Sequence, residues 1–293
     1  MTGGETTGGV LLSLGHGYVA EALARRLGPG WRVIGTTRDA EKAERLRAAG
    51  REMLIWPGAS LAPALAAATH VLASAAPGAE GDPFLAELAP DLHATPARWV
   101  GYLSTTGVYG DHDGGWVDED TPLAPGTVRG QRRVMAERQW QVAAREAGLP
   151  LHIFRLGGIY GPGRAPFDRL RAGTARRIVK PGQVFSRIHV DDIAEALALS
   201  MAHPTGTARA AAIYNLVDDE PGPPGDVLVH AAGLIGVAPP PEVPLEMAGL
   251  SEAGRSFYAE CKRVSNARIK RALGFAPRYP SYREGLPAVL AEE

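Results

Sequence analysis

Gly15-His16-Gly17-Tyr18-Val19-Ala20 has the residue types and spacing, G-x-G-x-x-A, of a turn that cradles phosphate. Gly15 permits a tight turn, Gly17 lets a pyrophosphate approach the backbone, and Ala20 lets a following helix pack closely on a sheet. The helix entered through His16, Tyr18 and Val19 would turn its N-terminus toward the phosphates. A generic strand-to-helix turn is the competing reading. About 20 residues further on, where an acid ordinarily binds the adenosine ribose, the chain reads Gly35-Thr36-Thr37-Arg38. Arg38 with Thr36 and Thr37 would suit a 2′-phosphate, so NADP(H) is favoured over NAD(H) as cofactor; otherwise Arg38 is a solvated residue at a helix start beside Asp39. Ser74, Ala75, Ala76 and Pro77 offer small residues against which an adenine or ribose could lie. The run Tyr102 to Gly110 sets the hydroxyls of Ser104, Thr105, Thr106 and Tyr109 near the end of an apolar stretch, suited to bonding a substrate carbonyl or alcohol.

These residues need a scaffold that brings strand ends together, and the hydrophobic pattern predicts one. Apolar runs at Val10–Leu14, 31–35, 53–56, 70–73, 99–104 and 151–156 read as strands. Helical patterns lie between them: one placing Ala20, Leu23, Ala24 and Leu27 on one face, then 39–49, 82–93 and 129–147. Strands alternating with helices imply right-handed crossovers and an α/β, doubly wound parallel sheet, the NAD(P)-binding Rossmann fold. The expected division is a dinucleotide-binding core over 10–156 and a mixed segment over 157–293 that completes the sheet and forms a small, discontinuous C-terminal substrate lobe. The glycines and prolines of 157–163 predict a loop at its start.

Four segments in order resemble the extended short-chain dehydrogenases, the branch with nucleoside-diphosphate-sugar epimerases and dehydratases. They are Leu103-Ser104-Thr105-Thr106-Gly107-Val108-Tyr109-Gly110, Phe154 to Gly163, Arg187 to Ala194 and Ile213 to Leu216. The resemblance implies that Thr105 takes the catalytic Ser/Thr position. It also implies that the stretch from Leu156 to Gly163, with Gly158 and Tyr160, lines the nicotinamide and substrate cleft, followed by Arg164. Asp191 reads as a helix cap.

The chain departs from the family at its Tyr-x-x-x-Lys pair, whose places are taken by Arg129 and Arg133. Arginine holds its proton above about pH 12, and loss of a proton-shuttling group typically costs on the order of 10²–10⁴ in rate. Three readings stand side by side: Arg133 bonds a ribose hydroxyl in place of lysine; both arginines bind an anionic substrate, carboxylate or phosphate; or both lie on a solvated helix face that Glu137 and Arg138 continue. Tyr109, His112 and Tyr160 are the possible substitute proton donors, each also explicable by packing or loop structure.

A net charge of −1 on 293 residues gives no basic field for nucleic acid, and the eight histidines and single Cys261 have no metal-ligand spacing. Residues 1–9 lack the charge of a signal peptide, and prolines and His70 interrupt the Ala-rich stretch 61–79, so no membrane span and a cytoplasmic location are expected. The expected partner is a small molecule, anionic or nucleotide-linked; monomer and homodimer both stay open. The function implied is an oxidoreductase-like epimerase, dehydratase or reductase with an altered proton relay, and the alternative is a non-catalytic NADP(H) sensor.

Overall fold

The computed structural model describes residues 8–204 and 210–293; residues 1–7, most of the N-terminal stretch judged against a signal peptide, lie outside them. Seven strands form the main sheet: Val10–Leu14, Arg32–Thr37, Glu52–Ile55, His70–Ala73, Trp99–Thr105, Leu151–Leu156 and Ala212–Leu216. Numbered along the chain, their spatial order is 3-2-1-4-5-6-7. The pairs 1 with 2, 1 with 4, 2 with 3 and 4 with 5 are parallel. The order reverses beside the first strand, and the loops after strands one and four leave the sheet at that reversal, where open α/β sheets bind ligands.

Burial explains why apolar runs became strands. Every residue of His70–Ala73 and of Leu151–Leu156 is buried, as expected of strands covered on both faces. The helices Tyr18–Leu27, Ala40–Ala48 and Val128–Ala147 fall where periodicity put them. Two segments differ from expectation. Over 82–93 the structure has one α-turn, Leu85–Leu88, and then a 3-10 segment Ala89–Ala94, because Pro90 has no N–H to continue an α-helical ladder. Within the expected loop 157–163, the strand Gly158–Tyr160 pairs in parallel with Arg187–His189. The stretch 61–79 contributes only the short helix Ala62–Ala67, and no helix among the described residues is long and apolar enough to cross a membrane.

The chain divides into two compact units. The first takes in Met1–Ser104, Arg132–Arg155 and Ile193–Tyr214, and the second Thr105–Gln131, Leu156–Asp192 and Asn215–Glu293, each in its described part. A single boundary after residue 156 does not follow these units, since 105–131 and 193–214 change sides. One face of the first unit's sheet is packed by Phe84, Leu88, Ala136 and Trp140. An aromatic ladder of Trp31, His70, Trp99, His152, Phe154 and Tyr214 also runs through this unit. Ser200 links two of its members, accepting from Trp99 Nε1 at 2.9 Å and lying 2.8 Å from His152 Nδ1.

In the second unit Phe167, Leu170, Ala231, Tyr282 and Leu286 form a separate core. The carboxylate expected to matter structurally at Asp191 is displaced by one residue. Asp191 lies inside the first turn of the helix Val190–Ala202, while buried Asp192 accepts from the backbone N–H of Arg278 at 2.6 Å and of Tyr279 at 3.1 Å. A second buried acid, Asp218, leaves Oδ2 without a hydrogen-bond partner, and burial, only partly offset by Arg187, pushes its carboxyl up to about 8.

Candidate functional site

The glycine turn of the first unit is held from three sides. Gly15 has φ +79°, and a Cβ there would meet the backbone and side chain of Ala75 at 3.0 Å, so only glycine fits. Its N–H donates to Thr36 Oγ1 at 2.7 Å, and its carbonyl accepts from Ser74 Oγ at 2.6 Å. Thr36 and Ser74 therefore use their hydroxyls to shape the turn. Beyond Ser74, Ala76 is exposed and Pro77 half-buried. Gly17 caps the helix Tyr18–Leu27 without any side-chain bond, and Val19 is buried in the core, so only its backbone can face a phosphate. His16 points inward: it is 1% exposed and places Nε2 2.9 Å from Glu21 Oε2. Burial works to raise the Glu21 carboxyl, but hydrogen bonds from His16 and Arg51 hold it down at about 2.

At the end of the second strand Arg38 is exposed and Thr37 half-buried. The nearby acid is committed elsewhere, because Asp39 Oδ1 accepts from Lys42 N at 2.9 Å as the helix cap. The tight turn and the helix end without a side-chain cap fit the pyrophosphate of a nicotinamide dinucleotide.

Arg133 closes the first unit's site. Its Nη1 donates to Leu103 O at 2.7 Å, to Tyr102 Oη at 3.1 Å and to Ala75 O at 3.3 Å, tying together the ends of two strands. One turn further along the helix Val128–Ala147, Glu137 is 1% exposed. It accepts from Ser104 Oγ at 2.5 Å and from Arg155 Nε and Nη2 at 3.2 and 2.9 Å. The expectation that Glu137 continues a solvated face is corrected by this pairing: Arg155 sits in a fully buried strand and requires a counter-charge. The signal was available in an arginine flanked only by buried apolar positions.

The second unit contains a cavity of about 550 Å³. Thr105, Thr106, Arg129, Gly158, Tyr160 and Arg164 all line it, which gathers candidate catalytic and substrate residues, and one assigned to the cofactor, around one space. Thr105 Oγ1 accepts from Gly107 N at 3.2 Å and thereby caps the turn Thr106–Tyr109. Gly130, not singled out by sequence, lets the helix start approach that turn, since a Cβ there would lie 2.8 Å from Gly107 O. Two tyrosines are turned to structural work. Tyr109, expected to meet substrate, is fully buried, does not line the cavity and donates to Asn215 Oδ1 at 2.7 Å. Tyr160 donates to Ser281 O at 3.1 Å, and burial first, with Asp218 and Asp192 adding to it, pushes its phenol far above the ordinary value. His112 Nε2 bonds the carbonyl of Tyr109 at 3.2 Å and does not line the cavity. Arg129, in contrast, holds its guanidinium 4.2 Å over the ring of Phe257, and Arg169, Arg176, Arg187 and Lys262 add further cations to the wall. No group of three or more His, Cys, Asp or Glu among the described residues could hold a metal ion.

Comparison with known proteins bears on both units. Residues 85–216 match the model of the NAD dependent epimerase/dehydratase family. A functionally unknown conserved protein from Silicibacter pomeroyi DSS is 56% identical over 97% of this chain and 99% of its own, with a TM-score of 0.91. A 3-diazoavenalumate denitrifying reductase from a Streptomyces species is 32% identical over 58% of this chain, which spans 58% of that relative's length. The structure of MoeE5 in complex with UDP-glucose and NAD has a TM-score of 0.76 at 22% identity, over 97% of this chain and 98% of that one, and is alike in fold.

Proposed function

We propose that this chain, of which residues 85–216 match the model of the NAD dependent epimerase/dehydratase family, binds NADP(H) in preference to NAD(H) and acts as a reductase or isomerase on an anionic small molecule held in the cavity of the second unit. The observation that carries this reading is the cationic wall of that cavity, with Arg129 in the place of the family tyrosine and Thr105 beside it. Gly15, Gly17 and the N-terminus of the helix Tyr18–Leu27 would hold the pyrophosphate, with Arg38 on the 2′-phosphate. When bound, the nicotinamide supplies the capacity for hydride transfer.

The residues of this chain then divide the remaining work. Thr105, whose oxygen already accepts from Gly107 N, keeps its hydroxyl proton to donate to a substrate oxygen. Arg129 neutralises charge on the substrate but releases no proton near neutrality. The relay is therefore altered, and turnover is slow by family standards, on the order of 10²–10⁴ below a tyrosine-driven reaction. One observation favours the second reading, a non-catalytic NADP(H) sensor: both tyrosines considered as substitutes have their hydroxyls bonded within the protein.

Calorimetric titration with NADPH and NADH separately tests the cofactor. Expected is NADPH binding about tenfold tighter, ~1.4 kcal/mol; equal affinity would remove Arg38 from the argument, and binding of neither would end both readings. Turnover abolished by Thr105→Val would support catalysis, and an unchanged cofactor redox state across carbonyl and sugar-nucleotide substrates would support the sensor.

A further inference from the structure

The cavity wall is unusual in what it lacks. Among its lining residues there is no Asn, Gln, Asp or His, and its one carboxylate is Glu260. That carboxylate is fully engaged: Oε1 accepts from Gly126 N at 3.1 Å and Oε2 lies 2.8 Å from Lys262 Nζ. The hydroxyls are similarly placed. Thr105 accepts from Gly107 N, Thr127 from Gly130 N at 3.1 Å, and Ser186 from Val264 N at 3.1 Å, so each has its O–H left to offer. Arginine and lysine only donate, and each of these hydroxyls keeps a proton to donate. A polyol presents many O–H donors and needs side-chain acceptors to be read, whereas a carboxylate or phosphate presents acceptors alone.

The rest of the wall is apolar, with Leu156, Ile159, Val184, Phe185, Val227 and Leu228 among its members. Arg129 joins the two characters, since its guanidinium carbon lies 4.2 Å from the centre of the Phe257 ring. An aromatic face under a guanidinium holds the cation at an apolar wall, and a guanidinium can meet a carboxylate side by side.

We propose that this cavity takes an organic acid, a carboxylate on a rigid apolar or aromatic body, and that replacement of the family tyrosine by Arg129 marks a change of substrate class away from sugar nucleotides. The proposal rests on the cavity being the substrate site and names what it accepts. Six lining cations, Arg129, Arg164, Arg169, Arg176, Arg187 and Lys262, face a single paired acid, so an anion is attracted before any specific contact forms. The apolar wall then rewards a hydrophobic body, and it offers the hydroxyls of a sugar ring no amide, no imidazole and no unengaged carboxylate to accept from them.

The test is calorimetric titration of the full chain with 2-naphthoate, its neutral counterpart 2-naphthamide, and UDP-glucose, each with and without NADPH. Naphthoate is expected to bind about tenfold or more tightly than naphthamide, and UDP-glucose more weakly than naphthoate. Arg129→Met should remove the preference for the acid and leave naphthamide binding as it was, while Phe257→Leu should weaken both. Equal binding of acid and amide, no binding of naphthoate, or tighter binding of UDP-glucose would each overturn the proposal. Titration of the same preparations with NADPH alone keeps the two readings apart. Intact NADPH binding with no naphthoate binding sinks only the substrate class, whereas naphthoate binding without NADPH binding sinks only the cofactor reading.

Discussion

Arg133 and Arg129 stand four residues apart on one helix, yet they belong to different units and do different work. In the first unit Arg133 is bound to two backbone carbonyls and a phenol, and Glu137, Arg155 and Ser104 satisfy one another in the interior. In the second unit Arg129 is exposed, stacked on a phenylalanine and turned to an open cavity. The lesson is that i,i+4 spacing fixes which residues share a helix face but not what that face meets. A cation opposite strand-end carbonyls completes the fold, and a cation on a cavity wall borders space that a ligand can enter.

The contrast is most easily broken by removing one charge from each unit. Glu137→Leu leaves Arg155 buried without its partner and is expected to cost about 3–5 kcal/mol, measured by urea denaturation. Arg133→Met removes three donor contacts, two of them to backbone carbonyls, and should cost about 1–3 kcal/mol in the same assay. Arg129→Met, at an exposed position, should change stability by no more than about 0.5 kcal/mol. Were all three equally mild, or Arg129→Met as damaging as Glu137→Leu, the division between structural and ligand-facing charge would be wrong.

Titration sharpens the same comparison. Burial lowers His70 and His152 of the first unit to about 4, so the unfolded chain binds more protons than the folded one between the ordinary histidine value and that point. Their contribution is present above pH ~6.5 and lost as pH falls toward 4. Asp218 of the second unit, raised to about 8, holds its proton more tightly when folded, so its contribution is lost as pH rises from ~3.9 through 8. The two slopes oppose each other over the shared window, but two histidines outweigh one carboxyl, so the melting temperature of the wild type should fall as pH drops from 6.5 toward 4, about half as steeply as the histidines alone would make it. Asp218→Asn should expose the histidine slope, seen as a melting temperature that falls more steeply from pH 6.5 to 4.5. A profile unchanged by this substitution would remove Asp218 from the account.

Sequence made the sheet legible because its strands are buried on both faces and so read as unbroken apolar runs, as at Leu151–Leu156. The glycine turn was legible for a related reason, since a Cβ at Gly15 has no room beside Ala75 and no other residue type serves. What stayed hidden depended on contacts between distant segments. Glu137 sits beside Arg138 and shares its polarity, but only Arg155, 18 positions on, makes it an interior residue. The hydroxyl of Tyr109 is taken by Asn215, 106 positions away. The cations of the cavity are spread from Arg129 to Lys262 with no common spacing, so no local pattern announces them.

The interleaving of the two units has a consequence for how the chain is made. The first unit draws its strands from three stretches, and the last of them, Ala212–Leu216, lies beyond most of the residues that build the second unit's cavity wall. A chain emerging from the ribosome therefore cannot finish its nucleotide-binding sheet before much of the other unit has been synthesised, and no cut in the sequence separates the two. Contacts this distant along the chain form slowly. The edge of the unfinished sheet stays open to other chains in the meantime, which makes the stretch before residue 212 the period in which a nascent copy depends most on a chaperone.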